Sequence, residues 1–103
     1  MSNASPLTLD DFQQHIRDRY YQTDAARGTP ATFLWFIEEV GELATALQKA
    51  AGQGGPTAGG DNLAEEFADV LAWLCTLANI NGIKLSDAVK QKYLKGEGPK
   101  GHK

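Results

Sequence analysis

Apolar positions recur along this chain at the spacing of helices. Leu9, Phe12, Ile16 and Tyr20 step by three or four residues, the period of one helix face. Thr8 precedes them as a predicted N-cap, and Asp10 and Asp11 fall in the first turn, where the helix dipole favours acids. Arg27-Gly28-Thr29-Pro30 breaks and restarts the chain, with Thr29 as a cap and Pro30 suited to the first turn. A second helix is predicted from about Pro30 to Ala51. On a helical wheel with Glu38 at zero, its apolar residues Phe33, Phe36, Ile37, Val40, Leu43, Ala44 and Leu47 fall between about 140° and 260°. That stripe is the expected core face.

Five glycines between Gly52 and Gly60 predict a flexible loop. Asp61 is placed to cap a third helix, which Asn81-Gly82 ends. Ser86 or Asp87 opens a short fourth helix reaching about Lys95. No segment alternates apolar and polar residues as a strand does, and no internal repeat is visible. The pattern predicts an all-α helical bundle of about four helices, one domain over residues 8–95. Residues 1–7 are expected to be a cloning remnant and disordered N-terminus, and 96–103 a flexible tail. The third helix is apolar over more than half its girth, which predicts a homodimer at least.

Composition narrows the class. The chain has 103 residues, 42% hydrophobic and 22% charged, enough for one small core and too short for a Rossmann sheet or a barrel. A single cysteine, Cys75, excludes an internal disulfide or a Cys-rich zinc site. No apolar run approaches the roughly 18 residues of a membrane span. A cytoplasmic protein with no membrane association is the expectation.

Charge changes the picture more. Residues 33–82 carry seven acids against one base, Lys49, while residues 83–103 carry six bases against two acids. An acidic centre excludes the broad basic face of a nucleic-acid binder. On the second helix Glu38, Glu39 and Glu42 gather within five residues, at about 0°, 100° and 40° on the wheel. Like charges so close destabilise a helix. On the third, Glu66 borders the apolar stripe, Asp69 lies nearby with Trp73, and Glu65 points elsewhere, toward solvent. Two antiparallel helices joined by a glycine-rich loop bring Glu39 and Glu42 opposite Glu66 and Asp69. Unpaired carboxylates at an apolar border are costly, and few bases stand near to pair them. Either they hold a divalent cation, for which an all-oxygen set suits Mg²⁺ or Mn²⁺, or they form a solvated acidic face. Iron is disfavoured, because neither His15 nor His102 completes a Glu-x-x-His motif.

Glu38-Glu39-Val40-Gly41-Glu42-Leu43, followed after a gap of 23 residues between Glu42 and Glu66 by Glu66-Phe67-Ala68-Asp69-Val70, resembles the paired Glu-Glu-x-x-Glu and Glu-x-x-Asp motifs of the MazG-type nucleotide pyrophosphohydrolases. Gly82-Ile83-Lys84-Leu85-Ser86-Asp87-Ala88-Val89 is similar to that family's turn into its last helix. The resemblance covers about residues 30–95. It implies an all-α pyrophosphohydrolase, dimeric or tetrameric, that uses Mg²⁺ to cleave a nucleoside triphosphate between its α- and β-phosphates, giving a monophosphate and pyrophosphate. Glu39, Glu42, Glu66 and Asp69 match the family's metal ligands. Glu38 matches a glutamate that orients or deprotonates the attacking water. Lys92 matches a phosphate-contacting lysine, although relatives often carry an asparagine four residues later, where this chain has Gly96.

Trp35 and Trp73 flank the carboxylates and offer faces on which a nucleobase could stack. Tyr20, Tyr21 and Asn79 are further candidates on the base side, and Lys90 and Lys95 on the phosphate side. Cys75 is expected in the core and His15 on the surface. Two alternatives stand beside this reading: a non-enzymatic helical interaction module, and the related phosphoribosyl-ATP pyrophosphohydrolase.

Overall fold

The computed structural model describes residues 6–52 and 60–95. The expected loop at 53–59, the N-terminal residues 1–5, the tail 96–103 and the Asp61 side chain lie outside the described residues. Four helices and no strand occur among those described: α1 (Leu9–Arg27), α2 (Thr29–Gly52), α3 (Gly60–Ile80) and α4 (Leu85–Tyr93). None is long and apolar enough to cross a membrane.

Local chemistry sets the boundaries. Thr8 begins α1 with a capping box: its hydroxyl accepts the Asp11 N–H at 3.0 Å and Asp11 accepts the Thr8 N–H at 3.4 Å. Gly28 alone separates α1 from α2, at φ 83°, a left-handed conformation open to glycine. Thr29 is already helical, and its hydroxyl accepts from Asn81 Nδ2 at 3.2 Å. The predicted cap is thus a tie between the start of α2 and the end of α3. At that end Gly82 adopts φ 69°, its N–H donates to Asn79 O, and the Ile83 N–H donates to Ala78 O. This is a Schellman motif, the reason Asn-Gly stops the helix. Helix α4 opens earlier than expected, at Leu85 after Lys84. Ser86 does not cap it; its hydroxyl donates to Asp10 of α1, beside a Lys84–Asp10 ion pair at 3.6 Å.

Helices α2 and α3 run antiparallel. Thr29 meets Asn81, Trp35 meets Trp73, and Ala46 and Ala50 pack with Leu63. Helix α1 lies along the second half of α3 and is held there by one polar side chain. Buried Gln13 donates through Nε2 to Asn79 Oδ1 (2.9 Å) and to Ile83 O (2.7 Å), and its Oε1 accepts the Leu85 N–H (2.9 Å). Asn79 Nδ2 donates back to Gln13 O. The Asn79 side chain, a base-side candidate from the sequence, thus bonds to α1 through both its oxygen and its nitrogen.

The largest departure from the sequence reading concerns the core. Among the described residues of the single chain the buried apolar ones are Ile16, Ala46, Ala50, Leu63, Cys75 and Ala78, and the largest fully buried side chains are Thr32 and Cys75. Phe33, Ile37, Val40 and Leu47, expected as the α2 core stripe, are exposed, as are Phe67, Leu71 and Leu74 of α3. Helix α2 meets α3 along Thr32, Glu39, Ala46 and Ala50 instead, about 100° around the wheel, where short side chains let two backbones approach. Periodicity identified an apolar face correctly but could not say what covers it.

Candidate active site

The α2–α3 contact face carries the acids. Glu39 and Glu42 occupy successive turns of α2, and Glu66 and Asp69 successive turns of α3. One carboxylate oxygen from each of Glu39, Glu42 and Glu66 lies within 4.8 Å of the others. Asp69 is exposed, but its charge is close enough to act on both Glu39 and Glu66. The ion pairs among the described residues, Arg27–Asp24 and Lys84–Asp10, lie elsewhere.

Two of these carboxylates are under electrostatic stress. Oε2 of Glu39 and Oε2 of Glu66 are out of water and accept no hydrogen bond. Burial, a side-chain hydrogen bond with Glu42 and the charges of Glu42, Asp69 and Glu66 push the Glu39 carboxyl up to about 7. Burial, then Glu42, Asp69 and Glu65, raises Glu66 as well, against a weaker opposing bond from Asn62. Orphaned hard oxygen donors crowded at one point fit a divalent cation such as Mg²⁺ or Mn²⁺, which takes oxygen ligands and cancels the repulsion.

A pH dependence follows. Glu39 holds its proton to about pH 7 when folded and to about 4.5 when unfolded. Between those values the folded state binds more protons, so its stability falls as pH rises from about 4.5 to about 7, then levels off. The metal-free protein is expected to melt at a lower temperature at about pH 8 than at about pH 5. Millimolar Mg²⁺ is expected to restore most of the difference at the higher pH, because a cation that binds only the folded state stabilises it. In Glu39→Gln the pH slope flattens. Differential scanning calorimetry with and without chelator checks this, and a slope unchanged by Glu39→Gln contradicts it.

The remaining sequence candidates are scattered. Glu38 is exposed on α2, beside the three-carboxylate cluster and not within it; Glu65 is exposed on α3. Lys92 is exposed on α4, which packs on α1, with its Nζ 5.3 Å from the Tyr93 ring centre. Trp35 and Trp73 stack on each other, ring centres 6.2 Å apart and planes 11° from parallel. Tyr21 lies under Arg17 at 4.0 Å, and Tyr20 is exposed. Cys75 is fully buried and His15 exposed, as expected.

Sequence reasoning missed Asp24, Arg27 and Thr32. The Arg27 guanidinium lies 5.2 Å from the Trp73 ring centre. One of its nitrogens, NH1, pairs with Asp24 Oδ1 at 3.1 Å and donates to the Thr32 hydroxyl at 3.2 Å. An acid and a base three apart in the last turn of a helix read as an ordinary surface pair. No local spacing announces that the arginine reaches an indole 46 residues away. The aromatic pair is thus continued by a fixed cation, next to four carboxylates.

A comparison with curated proteins finds no match. The family model of the MazG nucleotide pyrophosphohydrolase domain matches residues 28–98, a span that contains both acid-bearing helices, the indole pair and the turn into α4, and so the chain belongs to that family.

Proposed function

We propose that this chain is a divalent-metal-dependent nucleoside triphosphate pyrophosphohydrolase, cleaving between the α- and β-phosphates to give the monophosphate and pyrophosphate. The observation that carries this reading is the pair of buried carboxylate oxygens without donors, on Glu39 and Glu66, facing a third carboxylate in a chain of this family. Glu39, Glu42, Glu66 and Asp69 hold Mg²⁺, with Mn²⁺ as an alternative. When bound, the cation neutralises phosphate charge and makes water more acidic. Glu38, free of the cluster and one turn before Glu42, accepts the proton of the attacking water or orients it. Trp35 and Trp73 face the nucleoside. The role of Lys92 toward phosphate rests on the resemblance alone.

The proposal includes assembly. Phe33, Ile37, Val40 and Leu47 of α2 and Phe67, Leu71 and Leu74 of α3 form an apolar surface that no part of the described chain covers. Such a surface is far beyond scattered exposed leucines, and a second copy of the same α2–α3 pair buries it. The working unit is a homodimer, or a homotetramer built from it.

Pyrophosphate release from a panel of ribo- and deoxyribonucleoside triphosphates, with Mg²⁺, with Mn²⁺ and with chelator, tests the reaction. Release from none of them removes it and favours a non-enzymatic module. The same assay separates two neighbouring glutamates. Glu38→Gln is expected to lower turnover about a hundredfold or more, the scale of a lost general base. Glu65→Gln, on an exposed position, is expected to stay within about twofold of the parent. Equal losses remove the role of Glu38.

A further inference from the structure

One turn beyond Asp69, between α1 and α3, lies a cavity of about 370 Å³ whose walls include Ile16, Tyr20, Asp24, Arg27, Trp73 and Thr76. Its size falls in the lower part of the roughly 300–1,000 Å³ range of small-molecule pockets. Asp69, Trp73 and Thr76 follow one another at helical spacing on the same side of α3. The floor of the cavity therefore continues the ridge that carries the acids. A ligand seated there lies against two aromatic walls, Tyr20 and Trp73, with its polar end directed toward the carboxylate cluster.

The cavity has a second property that packing does not explain. Asp24 is only 4% exposed. Its Oδ1 pairs with Arg27, but its Oδ2 is out of water and accepts nothing. A carboxyl oxygen left dry without a hydrogen-bond partner is costly. Arg27 is pinned from three sides, by Asp24, Thr32 and Trp73, and its pairs use only NH1, leaving guanidinium N–H groups over. The cavity thus offers aromatic walls, an unused acceptor and unused donors. The larger cavity near the start of α1 lacks this: there Asp10 pairs with Ser86 and Lys84, and Gln13 with Asn79.

Assembly leaves the cavity open. On the α3 wheel Phe67, Leu71 and Leu74 lie at about 80° to 140°, and Ala72, Thr76 and Trp73 at about 240° to 340°, on the other side of the helix.

We infer that this cavity is the nucleobase subsite and that Asp24 Oδ2 accepts a hydrogen bond from a base N–H, with Arg27 donating to a base carbonyl or ring nitrogen. Asp24 is a specificity-determining residue: it selects heteroaromatic bases that present an N–H, and discriminates against the same base methylated at that nitrogen. The inference rests on the nucleotide reading of the acidic site, but its test needs neither turnover nor metal.

The chain has two tryptophans, stacked on each other, which together serve as the indole reporter. In the unsubstituted protein, with chelator present, AMP, CMP, GMP and UMP are titrated against tryptophan fluorescence, with ribose 5-phosphate as the ligand without a base. The tightest monophosphate is then compared with its N-methylated derivative lacking the donor. Saturable quenching by at least one monophosphate and none by ribose 5-phosphate is expected. Methylation is expected to weaken binding about ten- to a hundredfold, the scale of a hydrogen bond to a charged group. With Asp24→Asn added, the parent base weakens by a similar factor and methylation then costs little, a coupling that a merely structural role for Asp24 would not produce. Ala72→Met, which fills the cavity from its wall, abolishes quenching without touching Asp24 or Arg27. Absence of quenching by every monophosphate overturns the inference, as does a methylation penalty unchanged in Asp24→Asn. Pyrophosphate release by the unsubstituted protein is scored separately. Base binding without release removes the reaction and upholds the subsite; release without Asp24-dependent base binding removes the subsite and upholds the reaction.

Discussion

Glu39→Gln, Glu42→Gln, Glu66→Gln and Asp69→Asn are each expected to lower turnover about a hundredfold or more at saturating Mg²⁺ while leaving the protein folded. Charge neutralisation at a phosphoryl centre is the main catalytic contribution open to such a site. An amide still occupies the carboxylate's volume but no longer contributes the negative charge. The folded state should not suffer, because repulsion and burial outweigh the few bonds these acids make in the free protein. Glu39 is raised by burial and by Glu42, Asp69 and Glu66, and Glu66 by burial and by Glu42, Asp69 and Glu65; two of their oxygens have no donor. Removing one charge relieves that repulsion, so the metal-free melting temperature is expected to rise slightly at about pH 8. The increment added by Mg²⁺ is expected to shrink in the same variants. Turnover and melting temperature thus move in opposite directions, which general misfolding does not produce. A variant that keeps near-normal turnover at saturating Mg²⁺ shows that its residue is not a ligand.

Val40→Asp and Phe67→Asp are expected to abolish association and, with it, most of the folded structure. Among the described residues no large side chain is fully buried; the most enclosed are Thr32 and Cys75. Seven large apolar residues of α2 and α3 are about half exposed, with Phe33 at 49% and Phe67 at 54%. Completing their burial in two copies is worth on the order of 10 kcal/mol at about 0.7 kcal/mol per half-buried side chain, comparable to the whole stability of a small domain. A carboxylate introduced near the middle of that surface faces its own symmetry mate and loses hydration. Sedimentation at micromolar concentration is expected to show a dimer or tetramer for the parent, and circular dichroism a largely unfolded chain for either variant. A well-folded monomer of Val40→Asp contradicts the proposed assembly.

The helices were legible because each is bounded by residues with a local reason to be there: Thr8 with Asp11, Gly28, and Asn81-Gly82. The paired acidic motifs were legible because helical spacing alone places Glu39 with Glu42 and Glu66 with Asp69. What covers each face was not. Helix α2 has two working sides, and the more apolar one is open in the single chain, so a reading that assigns the most hydrophobic face to the core put Val40 and Leu47 inside. The side that meets α3 carries Glu39 and the short residues Thr32, Ala46 and Ala50, which hydrophobicity ranks low. Ser86 was misread because a hydroxyl at a helix start caps more often than it crosses to another helix. Asp24 and Arg27 were invisible for a similar reason: their chemistry depends on the angle at which α1 crosses α3.

Mechanically, α1 is a beam held at both ends. Gly28 is its fulcrum, a single residue with no slack between two helices. Gln13, about 20 Å away along the helix, is the latch, bonded to Asn79, Ile83 and Leu85. The cavity beside Tyr20 and Asp24 lies between the two supports. A tilt that widens it by an ångström near Tyr20 moves the latch by about twice as much, enough to break its hydrogen bonds together. The span therefore acts as a fixed gauge. What enters between α1 and α3 is selected by thickness before any polar group is tested, and a smaller residue than Gln13 at the far end of the beam would loosen that gauge without touching the site.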